Sequence, residues 1–168
     1  MKISRVNTEK LACFSLGSNL GDSLGFIQKA GLLLEERAGR RAHMSGMYES
    51  PSWGYESDLA YINSCLAVYS EKEPLELMEI ALEIEEQMGR RREGSGYSDR
   101  LIDIDLLLVE DLVVDHPRLI LPHPRMCERR FVLLPLAEIL PEMRHPVSGL
   151  TISRLLEECS DKSAIKPV

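Results

Sequence analysis

Apolar positions along the chain alternate between a strand-like and a helical period. "LACFSLG" (11–17) is a short apolar run, and the turn residues of "SNLGDS" behind it offer Asp22 or Ser23 as a helix N-cap. Leu24, Ile27 and Leu34 then recur at helical spacing, which predicts a helix to about Ala38, with Gly39 in the place of a C-terminal cap glycine. "RAHMSGMY" (41–48) predicts a second strand and "ESPSWGYESD" (49–58) a loop carrying Trp53. "AYINSCLAVYS" (60–70) predicts a third strand. Pro74 suits the first turn of a helix whose apolar face is Leu77, Ala81, Ile84 and Met88 and which ends at Gly89. The fourth strand lies in "YSDRLIDIDLLLVED" (97–111). This order, βαββαβ, predicts an α+β fold of the ferredoxin-like kind, an antiparallel sheet with helices on one face. Beyond it, "LVV" and "RLILPHP" predict extra short strands, "RRFVLLPLAEIL" a helix that Pro135 bends or interrupts, and 151–158 a last helix.

Length and composition narrow what such a fold can do. At 168 residues the chain suits one domain, 1–168, with a polar N-terminal lead over 1–10 that lacks the apolar core of a secretory signal and is expected to be disordered. No apolar run approaches the roughly 20 residues that span a bilayer. Cys13, Cys65, Cys127 and Cys159 form no C-x-x-C pair, so reduced packing cysteines in a cytoplasmic protein are expected. A net charge of -7 argues against nucleic acid or anionic lipid as partners. It also makes the local run Arg90, Arg91, Arg92, followed by Arg100, more informative.

The chemistry gathers at the fourth strand. Side chains alternate across a strand, so Asp103 and Asp105 share one face while Ile102, Ile104, Leu106 and Leu108 share the other. The acids either sit on a solvated sheet face or flank a cation, because two carboxylates about 7 Å apart repel one another otherwise. Oxygen-only ligands of this kind suit Mg²⁺, which takes one or two carboxylates and completes its shell with water and substrate phosphates. The arginines belong to the loop that leads directly into this strand. An arginine triplet can be plain solvated surface, but placed here its planar forks would clamp phosphate oxygens beside the metal pair. Glu85 interrupts the seam of Met78 and Leu82 in the last turn of a helix, where the dipole disfavours an anion, so it is either an ordinary exposed Glu or the residue that orients an arginine.

No Walker A loop occurs, and Gly17-Ser18 lies far upstream of the D-x-D pair, which weakens a nucleotidyltransferase reading without removing it. Five segments in order carry a resemblance: "FSLGSNLGDS", "YESPSWG" with "YINS", "IEEQMGR", "RLIDIDLLL" and "LPHPRMCERRFVLLPL". Together, from about Phe14 to Leu156, they resemble the 6-hydroxymethyl-7,8-dihydropterin pyrophosphokinases of folate biosynthesis. The resemblance implies transfer of the β,γ-pyrophosphate of ATP to the pterin hydroxymethyl group with release of AMP, using two Mg²⁺ ions. It implies that Asp103 and Asp105 hold both metals and that Arg90, Arg92 and Arg100 grip the triphosphate. Glu85 would lie near the nucleotide, and His123 and Arg129 would contact ATP. Tyr61 and Phe131 would sandwich the pterin, Asn63 would read its amide edge, and Ser50, Pro51 and Trp53 would line the pocket. Without the resemblance, His123, Tyr61 and Phe131 could equally be structural residues.

Some positions depart from that pattern. Before Arg100 the family commonly has a basic residue, an aromatic, Gly and Pro, where this chain has Gly96, Tyr97, Ser98 and Asp99. Glu93 replaces a basic residue and Pro124 a Tyr found near the ribose in some members. Two other classes stay open, a nucleotidyltransferase and a ligand-binding regulatory domain. The expectation is an enzyme acting as a monomer on two small molecules, ATP and hydroxymethyldihydropterin.

Overall fold

The computed structural model describes residues 8–90 and 96–168. Five strands follow the order β5-β1-β4-β3-β8: Asp103–Val109, Lys10–Ser18, Tyr61–Ser70, Tyr48–Ser50 and Lys166–Pro167. β2 (Arg40–Met44) also pairs with β4, and every pairing is antiparallel. β6 (Val114–His116) and β7 (Leu119–Leu121) form a separate hairpin. With α1 (Ser23–Arg37) and α2 (Pro74–Gln87), the βαββαβ core is present in the expected order. Asp22 caps α1 by accepting from the Gly25 N–H at 3.1 Å, and Pro74 opens α2.

Several local expectations change. The 1–10 lead is shorter than anticipated, since β1 begins at Lys10, Thr8 donates to Glu71 and Glu9 pairs with Arg40; residues 1–7 lie outside the described residues. The second strand is two pieces, β2 and β3, both laid along β4. Leu24 is exposed, and α1 buries Ile27, Ala30, Gly31 and Leu34 instead. Gly39 is needed for close approach, because a Cβ there would collide with the Tyr69 carbonyl oxygen. α3 (Arg130–Ile139) runs through Pro135 without interruption, so the proline forgoes only its own hydrogen bond to the Phe131 carbonyl. Thr151 caps α4 (Ile152–Glu158) through the Arg154 N–H at 3.2 Å.

Helices also cover both faces of the sheet. Ala12, Phe14, Leu16, Leu66 and Val68 pack with α1 and α2, while the alternate residues Cys13, Cys65 and Ala67 pack with Leu133 and Leu136 of α3 and Leu155 of α4. On β5 the alternation breaks at a bulge. Cys13 faces Leu108 and Phe14 faces Leu106, so Leu107 is the extra residue. Leu107 and Leu108 therefore both enter the second core and Val109 returns to the first, which places Leu108 opposite to its expected face. Asp103 and Asp105, upstream of the bulge, keep the face of the second core. Cys13, Cys65 and Cys159 are buried free thiols, in keeping with packing cysteines. Among the described residues no helix is long and apolar enough to cross a membrane.

Candidate active site

The second core fills one end of its sheet face, and the other end is a cavity. Register sets the floor: Gly17 of β1 lies between Asn63 of β4 and Asp103 of β5, and Ser15 lies between Cys65 and Asp105. Ser15, Gly17, Asn63, Asp103 and Asp105 thus line one cavity of about 230 Å³. Its walls bring together Ser50, Pro51, Trp53, Tyr61, Arg100, His123, Arg129 and Phe131, all anticipated, with Tyr55 and Tyr97, which were not. Arg90 and Glu85 line a second cavity of about 580 Å³ that shares Arg100, Asp103 and Asp105 with the first. A third, about 320 Å³, is apolar, built by Met78, Ala81, Leu106 and Ile120, and it shares Asp105 and His123. Asp105 borders all three. Arg92 and Glu93 lie outside the described residues.

Cations already flank the acids. Arg90 Nη1 donates to Asp103 Oδ1 at 2.7 Å and Arg100 Nη1 donates to Asp103 Oδ2 at 2.8 Å. The repulsion expected between two bare carboxylates is therefore offset by guanidinium groups. Arg90 also meets Glu85 Oε1 at 2.5 Å, and the same oxygen accepts the Ile104 N–H at 2.7 Å. Glu85 is 2% exposed, so it is the residue that orients an arginine and not an ordinary surface acid. Burial alone would lower the Arg90 guanidinium, but the Asp103 and Glu85 charges outweigh it and raise it.

Asp105 is held differently. Among the described residues its one guanidinium contact is long, 3.4 Å from Arg129 Nη1. Burial, then the Asp103 charge, push its carboxyl up to about 7. Although 32% of the side chain is open to solvent, the walls of three cavities rise around it, so protein rather than water governs its charge. His123 goes the other way: burial, then the Arg129 charge, lower it to about 4. Its Nδ1 accepts the Arg125 N–H at 3.2 Å, so the neutral ring carries its proton on Nε2, 3.9 Å from Asp105. At neutral pH this pair is a dipole facing a carboxyl, not an ion pair.

Arg129 is 8% exposed, its Cζ lies 4.8 Å from the Trp53 ring centroid, and it reaches the Tyr97 hydroxyl at 3.3 Å. Among the described residues its Nε has no hydrogen-bond partner, which leaves a buried donor open to an incoming acceptor. Among the described residues no group of three or more His, Cys, Asp or Glu could cage a metal. Two carboxylates at a junction of phosphate-sized spaces nonetheless fit Mg²⁺, whose remaining ligands come from phosphates and water. Tyr55 and Asn19, partners in this site, left no pattern in the sequence beyond turn residues; Tyr97 and Asp99 stood in the loop that departs from the family pattern.

The comparisons with known proteins agree with this geometry. A sequence model of the 7,8-dihydro-6-hydroxymethylpterin-pyrophosphokinase (HPPK) family matches residues 13–141. The chain belongs to this family. A 2-amino-4-hydroxy-6-hydroxymethyldihydropteridine pyrophosphokinase of Porphyromonas gingivalis is 42% identical over 135 residues, 79% of this chain and 91% of the relative. The enzyme of the same name from Bacillus subtilis is 37% identical over 134 residues, 79% of this chain and 80% of the relative. The crystal structure of wild-type Plasmodium falciparum HPPK-DHPS shares the fold with a TM-score of 0.72 at 18% identity, covering 92% of this chain. This chain spans only 45% of that one.

Two outcomes follow from the charges. Asp103→Asn, without metal, is expected to be less stable than the parent by about 1–3 kcal/mol in urea melts, because it removes the negative charge shared by two largely buried guanidinium groups, of which only Arg90 keeps another carboxylate, Glu85. His123 has a folded pKa of about 4, below its ordinary 6.5, so the unfolded chain takes up its proton first as pH falls. Relative to His123→Gln, the metal-free parent should hold its stability above pH 6.5 and lose it progressively between 6.5 and about 4. Urea midpoints of both proteins across that range check it.

Proposed function

We propose that this HPPK-family chain transfers the β,γ-pyrophosphate of ATP to the hydroxymethyl group of 6-hydroxymethyl-7,8-dihydropterin, as a cytoplasmic monomer using two Mg²⁺ ions. The observation that carries the reading is the meeting of three chemically distinct cavities at Asp105, two of which Asp103 also lines. The apolar cavity suits the adenine base, the arginine-lined one the triphosphate, and the aromatic one a flat bicyclic ring.

Each side chain then has a task. Tyr61 and Phe131 stack the pterin while Ser50, Pro51 and Trp53 close the pocket around it. The Asn63 amide nitrogen already donates to Ser50 Oγ at 2.8 Å, so its oxygen is the atom left to accept from the ring. Arg90, Arg92 and Arg100 grip phosphate oxygens, with Glu85 holding Arg90 in place. His123 offers its Nε2 proton as a neutral donor, and the open Nε of Arg129 takes an ATP oxygen. Asp103 and Asp105 hold the magnesium, which when bound neutralises phosphate charge and orients the reacting groups.

In the reaction the hydroxymethyl oxygen bonds to the β-phosphorus, and the bond from that phosphorus to the α–β bridging oxygen breaks. The electron pair leaves on AMP and the alcohol proton is released. Catalysis is largely positioning and charge stabilisation, the work of the guanidinium groups.

Phosphorus NMR of the protein with Mg-ATP and the pterin should show AMP and a pterin pyrophosphate in equal amounts. Free pyrophosphate as the stoichiometric product would mean a nucleotidyltransferase, and unconsumed ATP a binding domain. Arg100 meets charge that grows during transfer, whereas Asn63 reads a ring that does not change. Steady-state kinetics should therefore show kcat falling about 10²–10³-fold in Arg100→Ala, and the pterin KM rising about ten-fold with kcat little changed in Asn63→Ala. Equal losses of pterin affinity in both would refute this division.

A further inference from the structure

Asp99 stands next to Arg100 but outside the aromatic cavity, and the reaction above gives it no task. Its Oδ1 nevertheless accepts three hydrogen bonds, from Ser57 Oγ at 2.7 Å, Asn19 Nδ2 at 2.8 Å and the Tyr55 hydroxyl at 3.0 Å. These donors come from two separate segments, the turn after β1 and the β3–β4 loop, while Asp99 belongs to a third. The same bonds, Ser57 first and then Asn19, lower the carboxyl below its ordinary range and keep it an anion.

Both arms of this node continue into the site. Asn19 Oδ1 accepts the Arg100 N–H at 2.7 Å, and the Asn19 N–H donates to the Arg100 carbonyl at 3.1 Å. One asparagine thus fixes the Asp99 carboxylate and the Arg100 backbone together. On the other arm the Tyr55 hydroxyl lies 2.6 Å from the Tyr61 hydroxyl, with the two rings edge to face at 6.5 Å. Counting protons gives this arm a direction. An ionised carboxylate only accepts, so Tyr55 gives its single proton to Asp99, and the Tyr61 proton lies between the Tyr55 oxygen at 2.6 Å and the Ser98 carbonyl at 3.1 Å, the Tyr55 contact being the shorter. The chain runs Tyr61 to Tyr55 to Asp99.

We propose that Asp99 is a positioning residue that aligns the two halves of the reaction. Through Tyr55 it sets the ring of Tyr61 on the pterin side, and through Asn19 it sets the backbone of Arg100 on the phosphate side. The role rests on the reading of the aromatic cavity as the pterin pocket. A misplaced guanidinium or stacking ring loses rate steeply even when all reacting groups are present, which is why one carboxylate shared by both supports matters.

The arms predict different kinetic signatures. Tyr55→Phe cuts only the Tyr61 arm, so it should raise the pterin KM about ten-fold and leave kcat within about two-fold of the parent. Asp99→Ala cuts both arms and should raise the pterin KM and lower kcat, each about ten-fold. Asp99→Asn keeps an acceptor oxygen and should recover most of both. Combining Tyr55→Phe with Asp99→Ala should raise the pterin KM no further than Asp99→Ala alone, because the two act through one chain. Thermal melts accompany each variant, and if Asp99→Ala does not fold, Tyr55→Phe and Asp99→Asn carry the test. A pterin KM that stays within about two-fold of the parent in Tyr55→Phe and in folded Asp99→Ala overturns the role. So does a loss of kcat that only tracks a lowered melting temperature. A parent that makes no AMP fails the pterin reading itself, whereas an active parent with unaffected variants fails only the positioning role.

Discussion

The alternation of side chains across β1, β4 and the part of β5 before its bulge is the constraint on which the rest depends. Ala12, Phe14 and Leu16 go to one face and close the first core against α1 and α2. Cys13, Ser15 and Gly17 go to the other, where α3 and α4 cover only the Cys13 end. As the side chains shrink along β1, core gives way to cavity on a single continuous face. Asn63 and Asp103 flank Gly17 from neighbouring strands, so their backbones stand roughly 10 Å apart, two strand spacings. The groove between amide and carboxylate is the width of a sheet, set by backbone hydrogen bonds rather than by loops. A slip of one residue in any of the three strands would send its functional side chains into the first core.

On this floor the charges form an ordered series. Glu85, Arg90, Asp103 and Arg100 alternate in sign, and the buried Glu85 is itself anchored by the Ile104 N–H of the strand that carries the acids. A metal-phosphate group bound here would therefore enter by an exchange of partners. On the proposed reading Asp103 would trade guanidinium groups for a cation and the freed guanidinium groups would meet phosphate oxygens, so neither would be left uncompensated in a place of low polarity. Asp105 occupies the point where the three cavities join, and His123 lies between the aromatic and the apolar one.

The sequence was legible where local pattern and global fold agree. The order of β1, α1, β4, α2 and β5, the Asp22 cap, the Pro74 start and the D-x-D pair could all be read from spacing. Glu85 stood out because an acid in an apolar seam near a helix end needs a cation. What was missed depended on partners distant in the chain. The bulge at Leu107 arises from pairing with β1, and nothing in "DIDLLLV" distinguishes it from a regular strand. The second strand divides in two, although both pieces follow β4. The arginines that neutralise Asp103 were assigned to phosphate, because the resting arrangement of a site is not written in the residues that ligands will use. Tyr55, Asn19 and Asp99 read as turn chemistry, and only folding brings their polar atoms to one point.

Trp53 is the chain's one tryptophan, and it sits in the wall of the aromatic cavity. Tyr97 lies edge-on at 6.1 Å, Phe131 is tilted at 6.4 Å, and the Arg129 guanidinium faces it at 4.8 Å. A guanidinium over an indole and a phenol at its edge fix the polarity that the excited ring senses. Under excitation that indole absorbs and phenol does not, the emission of the whole protein therefore comes from a single place, beside Arg129 and above the floor of the cavity. The molecule carries its own optical label at the site of arrival, with no second indole to dilute the signal.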